Sequence, residues 1–82
     1  MSLSPEVRDR IESILGQHRV VLFMKGNPQA PQCGFSAKAV GILGGLVPEF
    51  GHVDVLSDPE IREGIKVYGQ WPTIPQLYVG GE

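Results

Sequence analysis

The sequence predicts an α/β domain that runs helix, strand, helix, strand, helix, strand. Three observations carry that reading. Val20-Val21-Leu22-Phe23-Met24 is a short, partly β-branched apolar run without alternation, so it reads as a strand buried on both faces. Stretches with apolar residues at helical spacing lie on either side of it. His52-Val53-Asp54-Val55 then reads as a second strand one helix further on, and such a βαβ unit closes with parallel strands and a right-handed crossover.

Each element has its own start and stop. Ser4 is placed as an N-cap with Pro5 in the first turn; Val7, Ile11, Ile14 and Leu15 then share one helical face, and Gly16 can end it. Lys25 to Gln32, with Gly26, Asn27 and two prolines, reads as a loop. A second helix is expected directly after Cys33, with Ala39 or Val40, Leu43, and Leu46 or Val47 inward. It should end near Gly44 or Gly45, because glycine inside a helix costs about 1 kcal/mol relative to alanine. Ser57 and Glu60 form a capping-box pair around Pro59, with Ile61, Ile65 and Tyr68 on the inner face and Gly69 at the C-terminal end. Pro75 to Val79 reads as the third strand. The Gly80-Gly81-Glu82 turn after it implies a partner strand that the sequence does not contain.

Composition narrows the function classes. The chain has 82 residues, 41% hydrophobic and 20% charged, the profile of an ordered globular domain that buries only roughly 60–65% of its unfolded surface. A net charge of −2 argues against nucleic acid as a partner. The apolar runs fall far short of the ~20 residues that cross a bilayer, so no membrane partner is expected. No secretory leader opens the chain, which points to a cytoplasmic setting or its mitochondrial or plastid equivalent.

Cys33 is the one cysteine, so no internal disulfide can form. A lone cysteine in a reducing compartment is either a small buried hydrophobe or a reactive thiol. Its position favours reactivity. At a helix N-terminus, free N–H groups and the positive end of the helix dipole stabilise thiolate and lower the pKa. Lys25, closing the preceding strand, adds positive charge if it faces the same spot.

Met24-Lys25-Gly26, Cys33-Gly34-Phe35-Ser36 and Trp71-Pro72-Thr73-Ile74-Pro75-Gln76, in that order and spacing, resemble the monothiol, CGFS-type glutaredoxins. Val53-Asp54-Val55-Leu56 and Ile61-Arg62-Glu63-Gly64-Ile65-Lys66 are similar to the same family. The resemblance implies a thioredoxin-like, three-layer α/β/α sandwich around a mixed central sheet. It also implies a glutathione site: Lys25, Arg62 and Lys66 on the tripeptide's carboxylates, Ile74 pairing its backbone with it, helped by Thr73, and Pro75 as a cis-proline. An arginine fork suits a carboxylate, and a cis X–Pro bond aims the preceding backbone groups at a ligand.

By the same resemblance, two subunits hold a [2Fe-2S] cluster between them, each supplying Cys33 and one glutathione thiol. Ligand counting agrees, since such a cluster takes four ligands, mostly thiolates, and this chain owns one. The resemblance further implies BolA-like and iron-sulfur client proteins as partners. The family continues with another strand, a Gly-Gly-Cys-Asp-like segment that grips the γ-glutamyl end of glutathione, and a final helix. Residues 1–82 are therefore expected to form one glutaredoxin-like domain that lacks its last strand and helix. Pro31, close to the cysteine, is expected to stiffen the loop.

Several residues keep two readings. Trp71 either fills the core beside Pro72 or edges the ligand. Arg62 and Lys66, apart from the resemblance, are a solvated helix face. Phe35 either packs inward or guards the thiolate at a dimer contact. His18 and His52 read as solvent-edge residues without metal-ligand spacing. Ser36 stands where dithiol relatives carry a second cysteine, and its hydroxyl cannot resolve a mixed disulfide.

Three functions follow. The first is a carrier of [2Fe-2S] as a glutathione-ligated dimer. The second is a glutathione-dependent oxidoreductase in which the thiolate attacks a mixed disulfide and free glutathione resolves the product. The third is a redox-inert interaction domain.

Overall fold

The computed structural model describes residues 3–81. Ser4 caps α1 (Pro5–Gln17) as expected, its Oγ accepting the Val7 N–H at 3.2 Å. The helix runs through Gly16, and His18 is the C-cap, already extended as the chain turns into the first strand. In that strand, β1 (Val20–Met24), Val21, Leu22, Phe23 and Met24 are all buried.

The segment expected to be a loop is folded on itself. β2 (Gly26–Asn27) and β3 (Ala30–Pro31) pair antiparallel in a miniature hairpin, with Asn27 Oδ1 accepting the N–H groups of Gln29 and Ala30. Gly26 makes this possible. Its φ is +87°, and a side chain there would collide with Ala30 and Gln32. The hairpin carries the chain to Cys33, the N-cap of α2 (Gly34–Gly44), whose C-cap is Gly45.

The second strand, β4 (Gly51–Asp54), lies one residue earlier than its sequence pattern suggested; Val55 N–H still bonds Met24 O at 2.9 Å. The N-cap of α3 (Pro59–Tyr68) is Asp58, not Ser57. The Ser57 hydroxyl is taken by Asp54 O at 2.9 Å, which leaves the Asp58 carboxylate to accept the Ile61 N–H. Glu60 is likewise diverted from a capping box, since it and Asp58 both pair with Arg10 of α1. The last strand, β5 (Gln76–Val79), starts after Pro75, which has no N–H to give to a ladder. Gly80 and Gly81 both take positive φ; Glu82 of the expected turn lies outside the described residues.

The sheet order is β4-β1-β5, with β1 parallel to β4 and antiparallel to β5, so the sheet is mixed. Successive side chains of a strand leave by opposite faces, and β1 uses this to hold two helical layers. Val21 and Phe23 join Ile11 and Leu15 of α1, Ile61 and Ile65 of α3, and Tyr78. Leu22 and Met24 meet Leu43 of α2, with Ala39, Val40 and Val47 alongside. At roughly 1.5–3 kcal/mol per fully buried large apolar side chain, β1 anchors the three layers. At Gly64, α3 comes so close to α1 that a side chain would collide with Val7. The observed layering is that of the thioredoxin-like α/β/α sandwich.

Candidate functional site

The carboxyl end of β1, the start of α2, one side of α3 and the segment before β5 enclose a cavity of about 700 Å³. Every residue singled out from the sequence as a site candidate lines it: Lys25, Cys33, Arg62, Lys66, Thr73, Ile74 and Pro75. Trp71 does not. It is 60% exposed, so it neither fills the core nor borders this cavity, but turns into a shallower groove beside β5.

Cys33 is half-buried at the head of α2. Its sulfur makes no cap hydrogen bond of ordinary geometry, yet its surroundings favour the anion. The backbone N–H of Ser36, then that of Phe35, hold the pKa below the ordinary thiol value of 9.0; partial burial opposes them, and Lys25 and the Ser36 hydroxyl add to the lowering. These N–H groups are free because an α-helix leaves its first amides without intrahelical acceptors.

Ser36 has a further job that its reading as a missing cysteine did not reveal. Its side chain is fully buried, and its Oγ accepts the Lys25 N–H at 3.1 Å. Next to it, Gly26 N–H donates to Asp54 Oδ1 at 2.9 Å, and the same oxygen accepts Leu56 N–H at 2.9 Å. The backbone is therefore held at Lys25 from α2 and at Gly26 from β4.

On the opposite wall, the Ile74–Pro75 peptide is cis and Ile74 is buried. Gln76 clamps this segment. Its Nε2 donates to Trp71 O at 3.0 Å and to Thr73 O at 3.2 Å, while its Oε1 accepts the Tyr78 hydroxyl at 2.9 Å. Burial, and then Tyr68 beside it, push the Tyr78 phenol above its ordinary value, so it stays a donor at neutral pH. The signal in the sequence was a polar residue on the inward register of a strand, which must find partners.

Arg62 and Lys66 face the cavity rather than open solvent, but differ in readiness. Arg62 Nε is buried without a hydrogen-bond partner. Leaving such a donor unmade costs about 1–3 kcal/mol or more, so the site favours an acceptor there. Lys66 Nζ already pairs with Glu63 Oε2 at 3.3 Å. A fourth cation, Lys38, was missed: with Phe35, Ala39 and Ile42 it forms one face of α2 along the cavity. Phe35 is 75% exposed and so does not pack inward. The spacing of 35, 38, 39 and 42 was legible, but the helix carries a second apolar face through Val40, Leu43 and Val47, which masked it. His18 and His52 are exposed, and among the described residues no three His, Cys, Asp or Glu side chains gather to hold a metal.

A thiol at a helix head, an arginine Nε without a partner and a backbone segment tied by Gln76 thus line one cavity. Several known proteins resemble the chain that builds it. The Glutaredoxin family model matches residues 20–82. The mitochondrial monothiol glutaredoxin-5 of Saccharomyces cerevisiae is 54% identical, across the whole of this chain and 57% of its own. The chloroplastic monothiol glutaredoxin-S7 of rice is 50% identical over 98% of this chain and 48% of its own. The chain thus spans about half the length of these curated relatives. The solution structure of reduced poplar apo GrxS14 superposes with a TM-score of 0.82 at 45% identity, over all of this chain and 75% of the other. Sequence and fold agree: the chain belongs to the glutaredoxin family, among its monothiol members.

Proposed function

We propose that this chain binds glutathione across the Cys33 cavity and, as a pair of subunits, carries a [2Fe-2S] cluster for transfer to other proteins. The observation that supports it best is the convergence of Cys33, Lys25, Arg62, Lys66, Thr73, Ile74 and Pro75 on one cavity with an unsatisfied arginine donor in its wall. In this reading Arg62 takes a carboxylate of glutathione through its fork, Lys25 and Lys66 supply charge, and the backbone of Ile74 pairs with the tripeptide. The residues fit the cluster only as shared cargo, because one chain offers a single thiolate, and among the described residues no three His, Cys, Asp or Glu side chains gather to hold a metal. Two Cys33 thiolates and two glutathione thiols reach the four ligands required.

Charge supports the dependence on glutathione. Four cations line the cavity and, among the described residues, no carboxylate does, so two bare copies facing each other repel until anionic ligands lie between them. The experiment is size-exclusion chromatography after anaerobic reconstitution with iron, sulfide and glutathione, following protein and cluster absorbance together. A coloured dimer is expected, lost on removing glutathione and in Cys33→Ser. A coloured monomer, or a stable coloured Cys33→Ser dimer, defeats the shared-ligand reading.

The half-buried, activated sulfur also favours a second reading, one-cysteine removal of glutathione from mixed disulfides. A colourless protein with strong exchange activity would promote it. The mitochondrial and chloroplastic relatives favour an organelle as the setting, testable by localising the tagged protein in its own cell.

A further inference from the structure

The glutathione reading leaves one wall of the cavity unused. Phe35, Lys38 and Ile42 lie along the same face of α2, from its first turn, just after Cys33, toward its C-terminal end. Phe35 is 75% exposed and Ile42 56%, large values for apolar side chains, and neither packs against the Leu43 core. Lys38 is exposed and has no ion pair among the described residues. Nor does Lys38 figure among the groups that lower the Cys33 pKa. Its charge is therefore spent neither on another side chain nor on the thiolate.

The charge of the whole chain sharpens this. Four of the seven cations line the cavity, although the chain is net negative; among the described residues no carboxylate lines it, and Glu63 pairs with one of the four, Lys66. The molecule is thus cationic around Cys33 and acidic over the rest. Such an arrangement steers anionic partners to the reactive end and turns cationic ones away.

We propose that the Phe35-Lys38-Ile42 face is the docking surface for the protein partner of Cys33, and that it recognises an acidic segment carrying an apolar side chain. The apolar side chain seats between Phe35 and Ile42, and a neighbouring carboxylate meets Lys38. A bare second copy does not fit, because it would set this cationic wall against an identical one. The proposal rests on Cys33 as the reacting thiolate and goes beyond that reading by naming the chemistry of what docks beside it.

The test uses cysteine peptides activated as 2-pyridyl disulfides, since the attached 2-pyridylthio group is uncharged and leaves the peptide's own charge as the only charge that varies. The Cys33 thiolate attacks the peptide sulfur, the old S–S bond breaks, and a Cys33–peptide disulfide forms. Pyridine-2-thiolate departs and is protonated by water to the absorbing thione, so two electrons change partners with no outside oxidant. Three peptides differ around the cysteine: acidic with leucine, acidic with serine, and basic with leucine. Rates are divided by each protein's rate with neutral dipyridyl disulfide, which reads thiolate reactivity alone.

The wild type is expected to prefer the acidic over the basic leucine peptide by about tenfold at low salt, with the ratio falling as salt screens it. Lys38→Glu should cut that ratio at least about fivefold, and Lys38→Arg should keep it. Ile42→Ser, a change at an exposed position, should remove the advantage of leucine over serine. Equal rates for acidic and basic peptides, or an unchanged ratio in Lys38→Glu, overturn the proposal. So does self-association of the ligand-free protein that Lys38→Glu abolishes, which would make a second copy the occupant. A wild type no faster with dipyridyl disulfide than free cysteine at the same pH sinks the thiolate reading and this one together; normal speed without preference sinks this one only.

Discussion

Two backbone amides, a lysine and a hydroxyl act on the sulfur of Cys33 in the same direction, against a smaller opposing effect of burial. A lowered pKa means that reactivity persists as pH falls below 9.0 and is lost only as pH drops through the shifted value. Iodoacetamide alkylation followed across pH should therefore inflect below 9.0; an inflection at or above it would refute the activated thiolate. Ser36→Ala should move the inflection upward. It should also destabilise the fold by about 1–3 kcal/mol in urea unfolding, because the Lys25 N–H loses its acceptor. Arg62 and Lys66 form a second pair to compare. Arg62→Ala should weaken glutathione binding about tenfold or more by calorimetry, since a charge-assisted hydrogen bond is worth roughly 1.5–3 kcal/mol. Lys66→Ala should cost less, because Lys66 is already shared with Glu63. Equal losses would argue against the fork of Arg62.

At the scale of elements, the site depends on one short segment being held still. Trp71 to Pro75 has no regular structure, and its fixed shape derives from Gln76, which ties two of its carbonyls to the start of β5. Gln76→Leu should leave those carbonyls and the Tyr78 hydroxyl without their partner. Glutathione affinity should fall several-fold while the alkylation inflection of Cys33 stays in place, because Gln76 is not among the groups acting on the sulfur. A shifted inflection would mean that the disturbance had spread to the head of α2. Much at this scale was legible in the sequence. Five apolar residues without alternation made β1, and Ser4-Pro5 made the start of α1. The hairpin after Lys25 was not legible, since two-residue strands carry no periodicity; only Gly26 and Asn27 marked its turn.

At the scale of the molecule, β4, β5 and three helices close around β1, but the sheet remains narrow. Leu77 and Val79 of β5 are each 46% exposed, on the register opposite to buried Gln76 and Tyr78. A chain this small keeps a modest margin of stability, so ligand binding should register strongly on it. Glutathione at about a hundred times its Kd should add about 2.7 kcal/mol, raising Tm on the order of 10 °C for a domain of this size. Differential scanning calorimetry across a glutathione series checks this; an unchanged Tm at saturating concentration would refute binding to the folded state.

What the sequence determined by itself was whatever local chemistry encodes: the order of elements, the parallel β1–β4 pair through its crossover, Cys33 at a helix head, and the motifs of the family. Tertiary structure decided how distant segments share partners. Asp58 caps α3 because Asp54 had taken Ser57; Lys66 is diminished by Glu63, and Arg62 is left with an unmade bond. It also decided direction, sending Trp71 out of the core and placing the exposed Lys38 along the cavity. Periodicity and caps act over one helical turn, whereas these outcomes are competitions between groups tens of residues apart. Their winner depends on distances that exist only once the layers have packed.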